Sequence, residues 1–291
     1  MPLSQAQAKH LCRRVGFGGK STEVNLFGQM ERTEAVDYCL DALPDPPPRP
    51  PGIDDTNWWE VLTQTQDWWL QRMADARWHN RDSATPSPLE EKMALFWHSH
   101  FATGISKIED MRSMWDQHQI LRNRGMGNLH TLLEQVCTNG AILSYLDNDQ
   151  NTKWDPQENF ARELMELYTI GPDAFVEADV IEMTRAWTGH GIVGWVGYHD
   201  ASYEYHGSAH DGSNKILFDL PPQRWNGPDT LEIFTSGVRR DATARFIANK
   251  LWHFFVNDHP TEGQLQDVVD AFLPNLIIRD ALREILNHGA F

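Results

Sequence analysis

The sequence predicts an all-α (mainly α) protein: a single large helical array with a long loop and a small β-hairpin around residues 190–220. Three observations predict it. Apolar residues recur at helical spacing along most of the 291 residues, residues that start and stop helices flank those runs, and strand-like alternation is confined to one stretch. The composition, 41% hydrophobic and 11% aromatic with 12 Trp, is that of a chain able to bury a sizeable core. Residues 1–291 are therefore expected to form a single helical domain, with a Pro-rich connector at 43–52 and an irregular loop insertion at 189–227.

Taken in order, Ser4 precedes QAQAKHLCRRV and Thr33 precedes EAVDYCLDAL, each an N-cap residue before a short amphipathic run. The run LPDPPPRPPG at 43–52 cannot be a helix interior and reads as an extended surface connector. Residues 58–79 follow, where Trp58, Trp59, Val61, Leu62, Trp68, Trp69, Leu70 and Met73 predict a long, substantially buried helix. SPLEEKMALFWHSHF opens with Ser87 at a cap position, Pro88 at the first helical position and acids in the first turn, a favourable start. Further helices are expected at about 107–123, 128–137, 156–170 and 177–188, with Gly104, Gly125, Gly140, Gly171 and Gly189 near their ends. From Gly189 to Trp225 the chain is rich in Gly, Tyr and Val with partial alternation, which predicts the long loop and its hairpin. DATARFIANKLWHFFV at 241–256 has a wide apolar face, Trp97 and Trp252 are expected to be buried, and LREILNHGAF reads as a helix still in progress.

Composition also excludes functions. A formal charge of −16, from 41 acidic against 25 basic residues, argues against a protein whose main partner is the phosphate backbone of nucleic acid. Cys12, Cys39 and Cys137 lack CxxC spacing, so neither a zinc knuckle nor a disulfide framework is indicated, and three buried free thiols are expected. There is no run of ~20 apolar residues and no charged leader followed by an apolar stretch, so no transmembrane segment is expected and the chain as written reads as soluble and unexported.

Three stretches could carry chemistry. In FWHSHFATG (96–104), His98 and His100 would point about 200° apart on a continuous helix and share a ligand only if the helix breaks at or just after His98. Ala102, Thr103 and Gly104 favour an ending near there; the alternative is that at least one is a buried, hydrogen-bonded histidine. In DPQENFARELMELYTIG (155–171), Glu163 and Glu166 share a face at i and i+3, with Asn159 a turn earlier. Glu158 and Arg162 form an i,i+4 pair that needs no functional explanation, and Glu163 and Glu166 could equally be solvated acids. In YEYHGSAHDGSNK (203–215), His206, His210, Asp211 and Lys215 suit metal ligation or acid–base work in a loop, or the capping of turns. HExxH, GxSxG, Walker and GxGxxG signatures are absent.

The combination of RRVGFGG (13–19), KMALFWHSHFATG (92–104), YLDN (145–148), ENFARELMELYTIG (158–171), EADVIEMTRAWTG (177–189), HDGSNKILF (210–218) and ATARFIANKLWHFFV (242–256) resembles, in the same order, the bacterial family called domain of unknown function 1800. The resemblance implies a predominantly helical protein, relatives that are often larger and exported, and a possible functional partner from a neighbouring uncharacterised family resembling sulfatases or phosphatases. Its motifs fall on Arg13, Arg14, Gly16, Phe17 and Gly18, on His98 and His100, on Glu158, Asn159, Arg162, Glu163 and Glu166, and on Arg185, His210 and Asp211. Departures are Ser99, where the family commonly has Asn, Gln157 before Glu158, and His190, where Trp usually follows Thr-Gly. The chain is also expected to stop short of the family's C-terminal part.

Two functions are expected on this basis. The first is a metal-dependent enzyme, a hydrolase, in which His98, His100, His210 and one of Glu163 or Asp211 hold a divalent ion of zinc, iron or manganese. Glu166 would be its base, and Arg162 or Arg185 would hold an anionic substrate group. The second is a non-catalytic helical adaptor or binding domain for an envelope or secreted partner protein. There the polar motifs are hydrogen-bond networks that fix helix packing, Arg162 and Glu163 are structural ion pairs, and RRVGFG is a helix stop.

Overall fold

The computed structural model describes residues 1–41, 58–78, 85–194 and 202–291; the proline run at 43–52 lies outside them. The protein is mainly helical, with fifteen α-helices and a single two-stranded sheet among the described residues. The chain starts with α1 (Gln5–Arg14), α2 (Ser21–Phe27) and α3 (Arg32–Leu40), followed by α4 (Trp58–Asp75), α5 (Pro88–His100), α6 (Ile105–Ile108) and α7 (Met111–Arg124). Next come α8 (Leu129–Cys137), α9 (Gly140–Tyr145), α10 (Asn159–Glu163) and α11 (Glu177–Ala186). The antiparallel pair β1 (His190–Val193) and β2 (Ser202–Tyr205) sets His190 opposite Tyr205, the expected hairpin. Helices α12 (Leu231–Thr235), α13 (Arg240–Phe255), α14 (Glu262–Phe272) and α15 (Ile278–Asn287) complete it.

Local chemistry explains several boundaries. Ser4 accepts from the Gln7 amide and Gln7 reaches back, a capping box that starts α1. Thr261 and Gln264 repeat it at α14. Thr33 is not a cap: α3 begins at Arg32, two residues earlier than a Thr33 cap would set it, with Glu31 in the cap position. Ser87 sits at the expected cap of α5, but Pro88 supplies the start, since the Ser87 hydroxyl makes no capping bond. The last helix does not continue; α15 ends at Asn287 and His288 turns extended.

The main core draws on residues from Leu3 to Leu286, and Trp97 and Trp252 are both fully buried in it, as are all three free cysteines. Helix α4 departs from expectation. Trp59 and Leu70 are exposed, and only its Val61 edge is buried, in a separate small cluster with Met111 and Trp115 backed by Leu62, Trp68 and Ile105. Its apolar residues spread around the helix, so one stripe meets α5 and α7 while the rest faces outward.

Several contacts tie the chain's beginning to its end. The Arg14 guanidinium donates to the carbonyls of Phe254, Phe255 and Val256, capping the C-terminus of α13. Helix α3 packs on α15, with Asp37 accepting from Arg283 at 2.9 Å. The RRVGFG stretch is thus a helix stop whose second arginine closes another helix. No described helix is long and apolar enough to cross a membrane.

Candidate functional site

Helix α5 does not break at His98. The Phe101 amide still donates to the Trp97 carbonyl at 2.8 Å, and the chain leaves helical geometry only at Phe101 itself. With ~100° of rotation per residue, His98 and His100 project from opposite sides. His100 packs against Phe96, Trp97, Phe101 and Tyr168, and its Nε2 lies 3.1 Å from the Tyr168 carbonyl. Burial lowers its pKa to about 4, so the ring is neutral and donates that bond. It is the hydrogen-bonded histidine of the two.

His98 faces the other way, into a cavity of about 220 Å³ between α4, α5 and α7. Trp69 stands edge-on between His98 and His118, with ring centroids 5.4 and 4.1 Å away, and Trp68 meets Trp115 at 5.0 Å. Arg122 Nη1 lies 3.0 Å from His118 Nδ1. A guanidinium only donates, so Nδ1 is the acceptor and the neutral ring carries its proton on Nε2. That buried Nε2–H has no hydrogen-bond partner, nor has the buried Thr65 hydroxyl. His98 makes no hydrogen bond among the described residues, and burial lowers its pKa. Burial, then the neighbouring Arg122, lowers that of His118 still further.

The wall behind the cavity is held by charge. Glu91, fully buried, accepts from Arg72 Nε at 2.8 Å, from Arg122 Nη2 at 2.8 Å and from Trp69 Nε1 at 2.9 Å. Burial pushes its carboxyl up, but Arg122 and Arg72 more than reverse this and hold it below the usual range. Its neighbour Glu90 fares differently. The Oε2 of Glu90 has no hydrogen bond, Arg72 comes no nearer than 4.0 Å, and burial pushes the carboxyl up to about 8.

The remaining motifs are placed elsewhere. After α10 the helix loosens into a π-helical turn, Leu164–Thr169, in which the Thr169 hydroxyl caps the Leu164 carbonyl five residues back. The extra residue turns Tyr168 inward to Phe101 and leaves Leu167 exposed. Arg162 pairs on the surface with Glu177 at 2.8 Å and Glu158 at 3.3 Å, not with Glu163. Glu163 is half-buried, with an unpartnered Oε2, and burial followed by the charge of Glu166 raises its pKa.

Arg185 on α11 binds both Glu182 oxygens at 2.7 Å, Asp211 at 2.7 Å, the Ser213 hydroxyl at 2.5 Å and the Asn214 carbonyl at 3.3 Å. Burial pushes the Asp211 carboxyl up, but the bonds from Ser213 and Arg185 win and hold it well below its ordinary value. The buried Lys215 ammonium donates to the Asp211 and Ser213 carbonyls. His210 donates through Nδ1 to the Thr188 carbonyl at 2.9 Å, and the Thr188 hydroxyl accepts from the Asp211 amide. Gly189 has φ +75°, and a Cβ there would lie 2.6 Å from the His206 carbonyl oxygen, so this turn requires glycine. The HDG loop is therefore clasped to α11.

The structure does not bring the three motifs to one point: His98 looks toward α4 and α7, His100 toward the π-helical turn, and His210 and Asp211 toward α11 and the residues just after it. Among the described residues no three His, Cys, Asp or Glu side chains group so as to hold a metal. What the structure does join is Arg185 with Asp211, and His98 with two rings that the sequence motifs did not include, Trp69 and His118, which Glu91 and Arg122 hold from behind. A signal existed, since Trp115, His118 and Arg122 lie at i, i+3 and i+7 on one face of α7.

No curated protein and no solved structure matches the chain. Residues 10–291 match the family described as protein of unknown function (DUF1800), and the chain belongs to that family.

Proposed function

We propose that this chain is a non-catalytic helical binding domain, with a protein of the cell envelope or a secreted protein as its partner, and that its polar motifs are clasps that fix the packing. The observation that carries this reading is Arg185. A guanidinium has five N–H donors, and here they go to Glu182, Asp211, Ser213 and Asn214, leaving none for a substrate anion. Arg162 and His100 are likewise engaged within the chain. One observation favours the hydrolase reading: Glu163, with its unpartnered buried oxygen, abuts a π-helical turn, a feature frequent at functional sites.

Elemental analysis of the purified full-length chain tests the choice. The binding-domain reading expects substoichiometric zinc, iron and manganese in the wild type and in His98→Ala and His210→Ala alike. Stoichiometric metal in the wild type that is lost in both variants would overturn it.

A further inference from the structure

We infer that the groove between the α1–α2 connector, the end of α4 and the start of α5 binds an aliphatic carboxylate, its head on Arg77 and Lys20 and its tail on Phe17, Leu70 and Met73. The site lies apart from the clasps that carry the binding-domain reading, goes beyond that reading and does not depend on it.

A free guanidinium edge is the first observation. Arg77 follows α4, and its Nη1 donates to the Ala74 and Ala76 carbonyls, each at 2.6 Å, which fixes the group at the helix end. Its Nε and Nη2 donate to nothing among the described residues, and both are open to solvent. Those two nitrogens form one side of the guanidinium, the fork that a carboxylate meets with two parallel hydrogen bonds. Arg185 has spent its donors within the chain; Arg77 has kept this pair.

Charge is the second. The chain carries 41 acidic against 25 basic residues, yet the groove, about 500 Å³ in volume, is lined by Lys20 and Arg77 against one acid, Glu23. Glu23 is buried and both its oxygens are taken, Oε1 by the Trp78 amide and Oε2 by the Lys20 amide. Lys20 is exposed and has no ion-pair partner among the described residues. Lys92 adds a third cation, its ammonium 5.0 Å from the centre of the Phe17 ring, and it too pairs with no described acid. Charges beyond ~10 Å are screened at ordinary salt, so a small anion feels this local field and not the acidic remainder of the surface.

The third observation is the apolar wall. Phe17 is 40% exposed and Leu70 63%, and Met73 and Pro88 join them in lining the groove. Clefts of ~300–1,000 Å³ with mainly apolar walls and a few polar groups are the usual form of a small-molecule site. A peptide would bring backbone N–H groups against walls whose one carboxylate is already engaged, whereas an alkyl chain needs no acceptor. An anionic bilayer would be repelled by the formal charge of −16 on the chain as a whole.

Decanoate and decanol test this, the same tail with a carboxylate and with a hydroxyl. Each is titrated as monomer into the full-length protein by isothermal calorimetry at low salt, with far-UV circular dichroism of every variant as the control of fold. Decanoate is expected to bind about tenfold more tightly than decanol, a gap that narrows as salt is raised. Lys20→Gln is expected to weaken decanoate about threefold and leave decanol unchanged, and adding Arg77→Gln is expected to make the two probes equal. Leu70→Asp is expected to weaken both about tenfold or more. Should the Arg77 variant fail to fold, Lys20→Gln and Leu70→Asp, both at exposed positions, carry the test. Phosphatidylglycerol vesicles are expected not to sediment the protein. Equal affinity of the two probes for the wild type, no saturable heat from decanoate, or decanoate binding unchanged in both Lys20→Gln and Leu70→Asp would overturn the inference. Sedimentation with vesicles and no binding of decanoate would overturn it in favour of a membrane surface.

Discussion

Replacing Glu90 by Gln should stabilise the protein at neutral pH. The side chain is 4% exposed, its Oε2 has no hydrogen bond, and burial pushes its carboxyl from 4.5 up to about 8. At pH 7 the folded state therefore holds a proton that the unfolded chain has already released. Because the folded pKa is the higher one, the handicap is absent below about pH 4.5, grows through neutral pH and levels off above about pH 8. At ~1.4 kcal/mol per unit, Glu90 costs about 3 kcal/mol at pH 7. For 291 residues at ~2.1 cal/mol/K each, that corresponds to a rise in Tm of about 5 °C in Glu90→Gln. Melting curves of both proteins between pH 4.5 and pH 8.5 should converge at the acid end and separate toward the alkaline end. Equal Tm values throughout, or a variant less stable at every pH, would refute the reasoning, because Glu90 would then be ionised and usefully paired with Arg72.

Arg122→Met should have the opposite sign: it leaves Glu91 buried with one guanidinium fewer, and losing one partner of a buried pair costs about 3–5 kcal/mol, measurable as a lower urea midpoint. Acid should weaken the fold through His100 and His190, whose pKa values burial lowers to about 4. Their unfolded forms take up protons first, so stability is full above about pH 6.5 and falls toward pH 4; His190→Gln should flatten that slope in urea titrations. Arg185→Ala should release the HDG loop, seen as faster hydrogen exchange at residues 211–216 with little change in α13.

The helical class was legible because it needs only periodicity and caps. Ser4 and Pro88 marked two helix starts, and the residues of FWHSHFATG marked an ending near Gly104. Which side of His100 that ending fell on was not legible, since it depends on Phe101 burying its ring among Trp97 and Tyr168, contacts made across the fold. Helices α6, α9 and α12 are too short to show a period, whereas α14 could have been found from Thr261 and Gln264. The π-helical turn was invisible because its five-residue bonding mimics helical spacing until the faces are compared. As for the site, sequence found His98 but not its company: Glu91 and Arg122 are 31 residues apart, and nothing local in either motif announces a buried pair. Arg185 and Asp211, read as separate candidates, turned out to bind each other across a separation of 26.

The stitch between Arg14 and the end of α13 spans 241 residues. At a synthesis rate of ~5–20 residues per second, Arg14 waits roughly 10 to 50 s for the carbonyls it caps. Helix α3 waits longer for α15, and meanwhile Val36, Cys39 and Leu40, fully buried in the finished protein, belong to a helix that lacks the cover of α15. The nascent chain thus presents a sticky amino-terminal segment throughout its time on the ribosome. A chaperone that holds residues 1–41 should raise the yield of folded protein, and chains released before α13 should aggregate through that segment.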